Sequence, residues 1–152
     1  GIKPEIEIFD TGMLGITEHF VKKGHLPTPC HYQFCLGVPG GMSATVEHLQ
    51  YLVTHIPAGS TWSAFGVGRG HMPILFAALA LGGHIRVGME DNVVFGVDES
   101  GKKILATNHM LVERAVAAVR AYGNRPATPA EARAMLGIPA FDGPAVRAAL
   151  GL

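Results

Sequence analysis

The sequence predicts an α/β fold in which four consecutive β/α units form a parallel sheet. Apolar segments with strand-like alternation begin near residues 5, 31, 61 and 84, about 23 to 30 residues apart, with one helical segment between each pair. This spacing is typical of right-handed βαβ units. The fourth segment, HIRVGMEDN at residues 84–92, ends on two carboxylates and an amide. In parallel α/β folds the carboxyl edge of the sheet holds the active site, so we expect a site there.

The first unit begins with a strand over residues 5–9. Strand alternation puts Glu5 and Glu7 on the same face. A carboxylate in the middle of a strand is costly unless it is paired or lines a polar cavity. Glu7 lies nearer the carboxyl end and is therefore the better site candidate. The alternative is that one of these glutamates only pairs with a buried arginine such as Arg86.

The second unit ends in a glycine-rich loop. After the strand expected at residues 31–36, the chain continues through Gly40 and Gly41. Glycines let the backbone come close to a ligand, and the amides of such a loop could face an anion. We therefore expect this loop to contribute to ligand binding.

The loop after the third strand, expected at residues 61–67, carries Arg69 and His71 and leads into a helix with Pro73 near its first turn. A glycine loop before a helix is a good anion pocket. A surface salt bridge is the alternative role for Arg69, and helix capping is the alternative for His71. The glycines at residues 66–70 lack the spacing of a dinucleotide-binding fingerprint.

Helices are expected between the strands and beyond them. Asp10 or Thr11 is expected to cap the first helix and Ser43 the second. Residues 93–105 are expected to form a short hairpin or an exposed lid. Three helices are expected after this segment, over residues 108–122, from Thr128 with the spacing of a capping box, and from Asp142 or Gly143.

Four polar side chains lie together near the end of the fourth strand. Arg86 shares a face with Glu90, and Asp91 and Asn92 follow directly. An unpaired buried guanidinium is costly, so Arg86 needs a carboxylate or an anionic ligand as its partner. Two carboxylates and an arginine are suitable parts for metal-assisted chemistry next to a carbonyl. The alternative is a buried arginine–carboxylate pair that only stabilises the sheet.

Four segments occur in a characteristic order: KPEIEIFDTGM at residues 3–13, QFCLG at 33–37 with Gly40–Gly41, WSAFGVGR at 62–69 and RVGMEDN at 86–92. Together they resemble the β-keto acid cleavage enzymes, the family founded by the 3-keto-5-aminohexanoate cleavage enzyme of lysine fermentation. The resemblance extends to about Tyr122. Four ordered motifs make it far more specific than any single motif.

The resemblance implies the C-terminal half of a (β/α)₈ TIM barrel. Residues 1–122 would carry strands 5–8 of that barrel as four parallel β/α units, and residues 123–152 would be a C-terminal helical extension. A complete barrel typically needs about 250 residues. The family holds its zinc with an early His-x-His pair and the glutamate of the last-strand motif, and none of the eight histidines here forms a His-x-His. The N-terminal half is therefore expected to lie outside this chain.

The resemblance also implies an activity, in which a β-keto acid reacts with acetyl-CoA to give acetoacetate and the CoA ester of the shortened acid. By motif match, Glu90 would be the third Zn²⁺ ligand, and two histidine ligands would come from outside this chain. Asp91 would take the acid–base role, with Arg86 hydrogen-bonded to it or to the intermediate. Glu7 would complete the polar network. The chain alone is expected to be inactive.

A second group of residues is expected near the substrate carboxylate or the coenzyme A. It comprises Gly40, Gly41, Arg69, His71 and Asn92. Two other functions stay open on the residues alone. One is a non-catalytic (β/α)₄ module that binds an anionic small molecule or assembles through its strand edges, and the other is a nucleotide-binding α/β domain.

Composition excludes some partners. The 152 residues carry 12 basic and 12 acidic side chains, which argues against a nucleic-acid surface and against a membrane surface held by charge. The longest apolar stretch, residues 72–81, is too short to span a bilayer, and no signal peptide opens the chain. Cys30 and Cys35 are expected as buried thiols in a cytoplasmic protein. Charged content of only 16% indicates either an unusually buried chain or a surface covered by a partner. The resemblance implies a homo-oligomer.

Overall fold

The computed structural model describes residues 3–140 and 143–151. In this part of the chain four strands form one sheet, in the order β1 (Glu5–Ile8), β2 (His31–Leu36), β3 (Thr61–Gly66) and β4 (His84–Ile85). Every neighbouring pair is parallel. Because sequence neighbours are also sheet neighbours, each connection is a helix-containing crossover. The predicted α/β class with a parallel sheet is confirmed.

Six α-helices lie in the described ranges: α1 (Thr11–Lys22), α2 (Val46–Thr54), α3 (His71–Ala80), α4 (Asn108–Ala121), α5 (Pro129–Leu136) and α6 (Gly143–Leu150). Asp10 caps α1 and accepts from the amides of Gly12 and Met13. The predicted cap of α2 at Ser43 is wrong. Thr45 is extended and accepts from the amide of His48 at 3.2 Å, so the helix begins later.

Helices cover one face of the sheet. The buried side chains of this face are Ile8, Tyr32, Phe34, Leu36, Trp62 and Ala64. They form a single apolar core with Leu49 and Leu52 of α2 and Ile74 and Ala78 of α3. Burial of this apolar surface is the main source of the fold's stability. The opposite face, by strand alternation, carries mostly polar side chains.

The fourth strand is shorter than the alternation predicts. Only His84 and Ile85 are strand residues, and the Arg86 amide adds one further bond to the Ala64 carbonyl at 3.2 Å. The chain then turns, because the amides of Asp91 and Asn92 both donate to the Gly88 carbonyl, at 3.2 and 3.1 Å. The turn places residues 90–92 at the carboxyl edge of the sheet, as expected.

Beyond the sheet, residues 93–105 contain an antiparallel hairpin of β5 (Val94–Val97) and β6 (Lys103–Leu105), which was one of the two predicted arrangements. The capping box of α5 is present, with Thr128 and Glu131 bonding each other's backbone amides. Asp142, one of the two predicted starts of α6, lies outside the described residues. Among the described residues, no helix is long and apolar enough to cross a membrane.

Candidate active site

Arg86 is the centre of a cluster of carboxylates at the carboxyl edge. Its Nε and Nη2 donate to the two oxygens of Asp91, each at 3.1 Å. Nη1 donates to Glu7 Oε1 at 3.1 Å, and Nη2 also donates to Glu90 Oε2 at 3.0 Å. The four side chains expected to carry the chemistry are therefore in direct contact.

The local fold explains this convergence. Glu7 points from β1 on the polar face, and Arg86 follows directly after β4. Arg86 also lies over the ring of Phe65, with its guanidinium carbon 4.5 Å from the ring centroid. An arginine stacked on an aromatic ring and paired in two-pronged fashion with a carboxylate is held in a fixed orientation.

Exposure differs sharply within the cluster. The Asp91 side chain is 7% exposed, whereas the Glu90 side chain is 84% exposed and Glu7 is half exposed. Asp91 is thus an inner carboxylate held on both oxygens, and Glu90 is an outer one with room for a further partner. Burial alone would lower the pKa of Arg86, but hydrogen bonds and charge from Asp91, with smaller effects of Glu90 and Glu7, raise it.

The cluster has a negative excess, since three carboxyl groups surround one guanidinium. A cation is therefore an expected partner. In the described ranges no group of three or more His, Cys, Asp or Glu side chains is placed to hold a metal. Catalytic zinc usually has three protein ligands, so Glu90 fits as one ligand of a site that other residues would have to complete. Burial and then Glu7 raise the pKa of the Cys35 thiol to about 12, which makes it a poor thiolate ligand.

The Gly40–Gly41 loop lies beside the end of β1. A Cβ on Gly41 would come within 2.7 Å of the Phe9 carbonyl oxygen, and the next amide, of Met42, donates to that oxygen at 2.7 Å. Gly40 has a φ of +87°. Close packing thus requires glycine at position 41, and the positive φ favours it at position 40. The Gly41 amide donates to the Val38 carbonyl at 3.0 Å, so it is not directed at an anion.

Arg69 and His71 differ in exposure and in their partners. Arg69 is exposed on the single 3₁₀ turn Gly68–Gly70, while His71 is 6% exposed at the start of α3. His71 does not cap the helix, and its Nδ1 is 2.9 Å from the amide nitrogen of Asn92. Burial, followed by Arg114, lowers the pKa of His71, with Asp91 opposing.

Asn92 is buried and fully engaged with the β3–α3 loop. Its Oδ1 accepts from the Gly68 amide at 2.8 Å. Its Nδ2 donates to the Gly66 carbonyl at 3.0 Å and to His71 Nδ1 at 2.9 Å. The structure therefore places Asn92 behind the cluster, where it joins two loops, and not at the exposed edge.

A second polar network, which sequence reasoning did not identify, lies on the same face of the sheet. The Ser63 hydroxyl donates to Gln33 Oε1 at 2.7 Å and lies 3.4 Å from His31 Nε2. His31 Nε2 also lies 3.5 Å from Glu5 Oε2, and His31 Nδ1 lies 2.9 Å from the Thr61 hydroxyl. Burial, then His84 and Lys3, lower the pKa of His31.

This network borders a cleft of about 530 Å³ that also reaches Glu5, His84 and Arg86, with Met135 and Leu136 of α5 on its other side. Among the described residues, Gln33 Nε2 is a buried polar atom without a partner. The period-two pattern of β2, in which His31, Gln33 and Cys35 share one face, was the sequence signal for this polar surface.

A parallel α/β sheet with a linked arginine and carboxylates at its carboxyl edge defines an enzyme-like site. The chain belongs to the β-keto acid cleavage enzyme family, whose model matches residues 1–138. It is 42% identical over 138 residues to the 3-keto-5-aminohexanoate cleavage enzyme of Acetoanaerobium sticklandii, an alignment that covers 91% of this chain and 49% of that protein.

Other relatives are named as acetyl-CoA transferases. The chain is 39% identical over 136 residues to the 3-dehydrocarnitine:acetyl-CoA trimethylamine transferase of Rhizobium meliloti, covering 90% of this chain and 44% of that protein. It is 36% identical over 145 residues to the 3-oxoadipate:acetyl-CoA acetyltransferase of Cupriavidus necator, an alignment that covers 93% of this chain and 49% of that protein. The chain spans about half the length of the curated relatives it matches.

The fold also has a solved counterpart. The apo structure of ObcA superposes with a TM-score of 0.70 at 19% identity, over 89% of this chain and 36% of that protein. This likeness concerns the fold alone.

Proposed function

We propose that this chain supplies one half of the active site of a zinc-dependent β-keto acid cleavage enzyme. The reaction would join a β-keto acid with acetyl-CoA and yield acetoacetate and the CoA ester of the shortened acid. The observation that supports this most is the cluster in which Arg86 holds Asp91 on both oxygens and also reaches Glu7 and Glu90. Family membership supplies the reaction class.

In this proposal residues 1–122 form strands 5–8 of an eight-stranded barrel, and residues 123–152 form a helical extension. Helices cover one face of the sheet, and the polar opposite face would line the barrel interior. Among the described residues, β1 and β4 each have one neighbour in the sheet, so each has an edge available to a further strand. Relatives about twice as long as this chain agree with a second half elsewhere. Assembly into oligomers is part of the same proposal.

Asp91 is the residue proposed to move the proton. The carbon between the keto and carboxylate groups of the substrate must lose a proton before it can attack the thioester of acetyl-CoA. Asp91 is held by two N–H donors on the side of Arg86, so its remaining lone pairs have a fixed direction. Arg86 would stabilise the negative charge that develops on the substrate, and Glu7 would keep Arg86 in place.

Glu90 is proposed as a zinc ligand because it is the outermost carboxylate of the cluster. Two histidines from outside this chain would complete the protein ligands. A bound zinc would polarise the keto oxygen of the substrate.

The remaining proposed contacts surround the cluster. The Gly40–Gly41 loop and the exposed Arg69 would face the substrate carboxylate or the coenzyme A, which carries phosphates suited to arginine. His71 and Asn92 would shape this binding region from behind, since both side chains are buried and bonded to each other.

The test combines this chain with the part of the Acetoanaerobium sticklandii relative that it does not match. We expect acetyl-CoA-dependent loss of a β-keto acid only in the combined sample. Asp91→Asn, which keeps size and removes the base, is expected to lower turnover by about 10²-fold or more. Arg125→Gln is the matched control, because Arg125 pairs with Glu131 on the surface. A complex that forms without any turnover would favour the assembly module instead.

A further inference from the structure

The turn over residues 88–92 carries two of the proposed site carboxylates, and its backbone–backbone hydrogen bonds are internal. The amides of Asp91 and Asn92 both donate to the Gly88 carbonyl. These two bonds shape the turn but do not fix its position relative to the sheet. Its orientation must therefore come from contacts with other elements.

Two asparagines provide these contacts. Asn108, the first residue of α4, accepts the Met89 amide through Oδ1 at 2.9 Å. On the other side Asn92 bonds the backbone of Gly66 and Gly68 in the β3–α3 region. Asn92 Nδ2 also donates to His71 Nδ1 of α3 at 2.9 Å, and among the described residues the remaining hydrogen bonds from the turn to neighbouring elements are those of its carboxylates to Arg86. The turn is thus held at both ends, by α4 and by the loop before α3.

The Asn108 side chain lies next to the start of the turn, since a Cβ built on Gly88 would be at ordinary van der Waals distance, 3.8 Å, from Asn108 Oδ1. The α4 cap is a different residue, Thr107, which accepts from the Met110 amide at 3.2 Å. Asn108 is therefore available to bond outside its own helix, and its loss leaves the helix cap intact.

We propose that Asn108 and Asn92 are positioning residues that hold the turn so that Asp91 meets Arg86 with both oxygens. This inference rests on the proposed function only in taking Asp91 as the residue that moves the proton. Without these hydrogen bonds the turn would move, and Asp91 would rotate away from Nε and Nη2 of Arg86. The proton acceptor would then lose its fixed direction, while the fold would remain.

The test uses NMR of the 152-residue chain, with exchange of the Arg86 Nε–H against water as the readout. In the native chain this proton is bonded to Asp91 Oδ2 and is expected to exchange slowly. Asn108→Ala is expected to speed its exchange roughly fivefold, the effect of about one lost hydrogen bond. Asn108→Asp keeps an acceptor oxygen at the same place and is expected to restore slow exchange.

Thr107→Ala is the matched control, since it weakens the same helix end but leaves the Asn108 acceptor in place. It should leave the Arg86 signal unchanged although the chain becomes less stable. Equal effects of Thr107→Ala and Asn108→Ala, or no effect of Asn108→Ala, would overturn the proposal. If Asn108→Ala does not fold, Asn108→Gln displaces the same amide by one methylene and must show the same faster exchange. No zinc or CoA is needed, so failure here is distinct from failure of the proposed reaction.

Discussion

The two faces of the sheet are built on different principles, and strand β2 shows both. Tyr32, Phe34 and Leu36 pack under the helices, while His31 and Gln33 point to the opposite face, and all five are buried. On the first face any well-packed apolar group contributes through the area it removes from water. On the second, each polar group needs a particular partner.

The two faces of the sheet differ in whether buried hydrogen-bonding groups lack partners. Gln33 Nε2 is buried without a partner on the polar face, and an orphaned donor typically costs about 1–3 kcal/mol. The three carboxylates around Arg86 also lie on that side. Groups that cost stability in this way are the pattern expected at active sites. Four predictions test this division.

The largest effect is expected on the apolar face. Phe34→Ala removes a side chain with no exposed surface that also contacts the Trp62 ring, with centroids 5.6 Å apart. We expect a loss of about 3–5 kcal/mol in the free energy of unfolding, because a cavity forms in the core. Urea denaturation followed by Trp fluorescence measures it. A loss under about 1 kcal/mol would mean that the helices do not depend on this face.

Arg86→Gln is expected to have an intermediate effect on stability. The substitution leaves Asp91, 7% exposed, without its cation, at a cost of about 2 kcal/mol. Arg125→Gln breaks an exposed pair with Glu131 and should change stability little. Both are compared with the native chain by urea denaturation at the same pH. Equal losses would show that the burial of Asp91 has no consequence.

The two buried histidines should make the free energy of unfolding depend on pH. Burial lowers the pKa of His31 and of His71 below 6.5, so the unfolded chain binds protons more readily than the folded chain. The free energy of unfolding is therefore highest above about pH 6.5, the ordinary pKa of histidine in the unfolded chain. It decreases as the pH falls below 6.5 towards the lower pKa values of the folded chain. His31→Gln should flatten this decline, because it removes one of the two groups that bind protons more readily in the unfolded chain. An unchanged decline would place its origin elsewhere.

The smallest effect is expected for Gln33→Met, which keeps volume but removes the amide. The free energy of unfolding should change by less than about 1 kcal/mol and could rise, because the unpartnered Nε2 is removed. Thermal and urea denaturation both test this. A loss as large as that of Phe34→Ala would show that the polar face stabilises the fold as the apolar face does.

Local patterns predicted much of the fold. The bounds of β2, the cap at Asp10 and the capping box at Thr128 follow from short-range chemistry, and each was found as expected. The early end of β4 and the cap at Thr45 were missed, because pairing and turning depend on neighbouring strands and loops. Propensity alone does not contain that information.

The part of the candidate site around Arg86 was predictable, because a buried charged side chain needs a partner of opposite charge. A guanidinium on an apolar strand required carboxylates, and Arg86 indeed reaches Glu7, Glu90 and Asp91. Asn108 was not predicted, since 19 residues separate it from Met89 and no spacing rule links an asparagine to a distant amide. The sequence also did not show that Arg69 is exposed while His71 is buried, because side-chain directions in a loop do not follow from spacing.

In the proposed function Glu90 of this chain is one ligand of a zinc site that a second half completes. The most direct test is the zinc content of the purified chain, alone and combined with the unmatched part of the Acetoanaerobium sticklandii relative. The account predicts almost no zinc in the chain alone, about one zinc per combined pair, and strong loss of that zinc with Glu90→Gln. Zinc bound tightly by the chain alone, or retained fully by the Glu90→Gln pair, would contradict it.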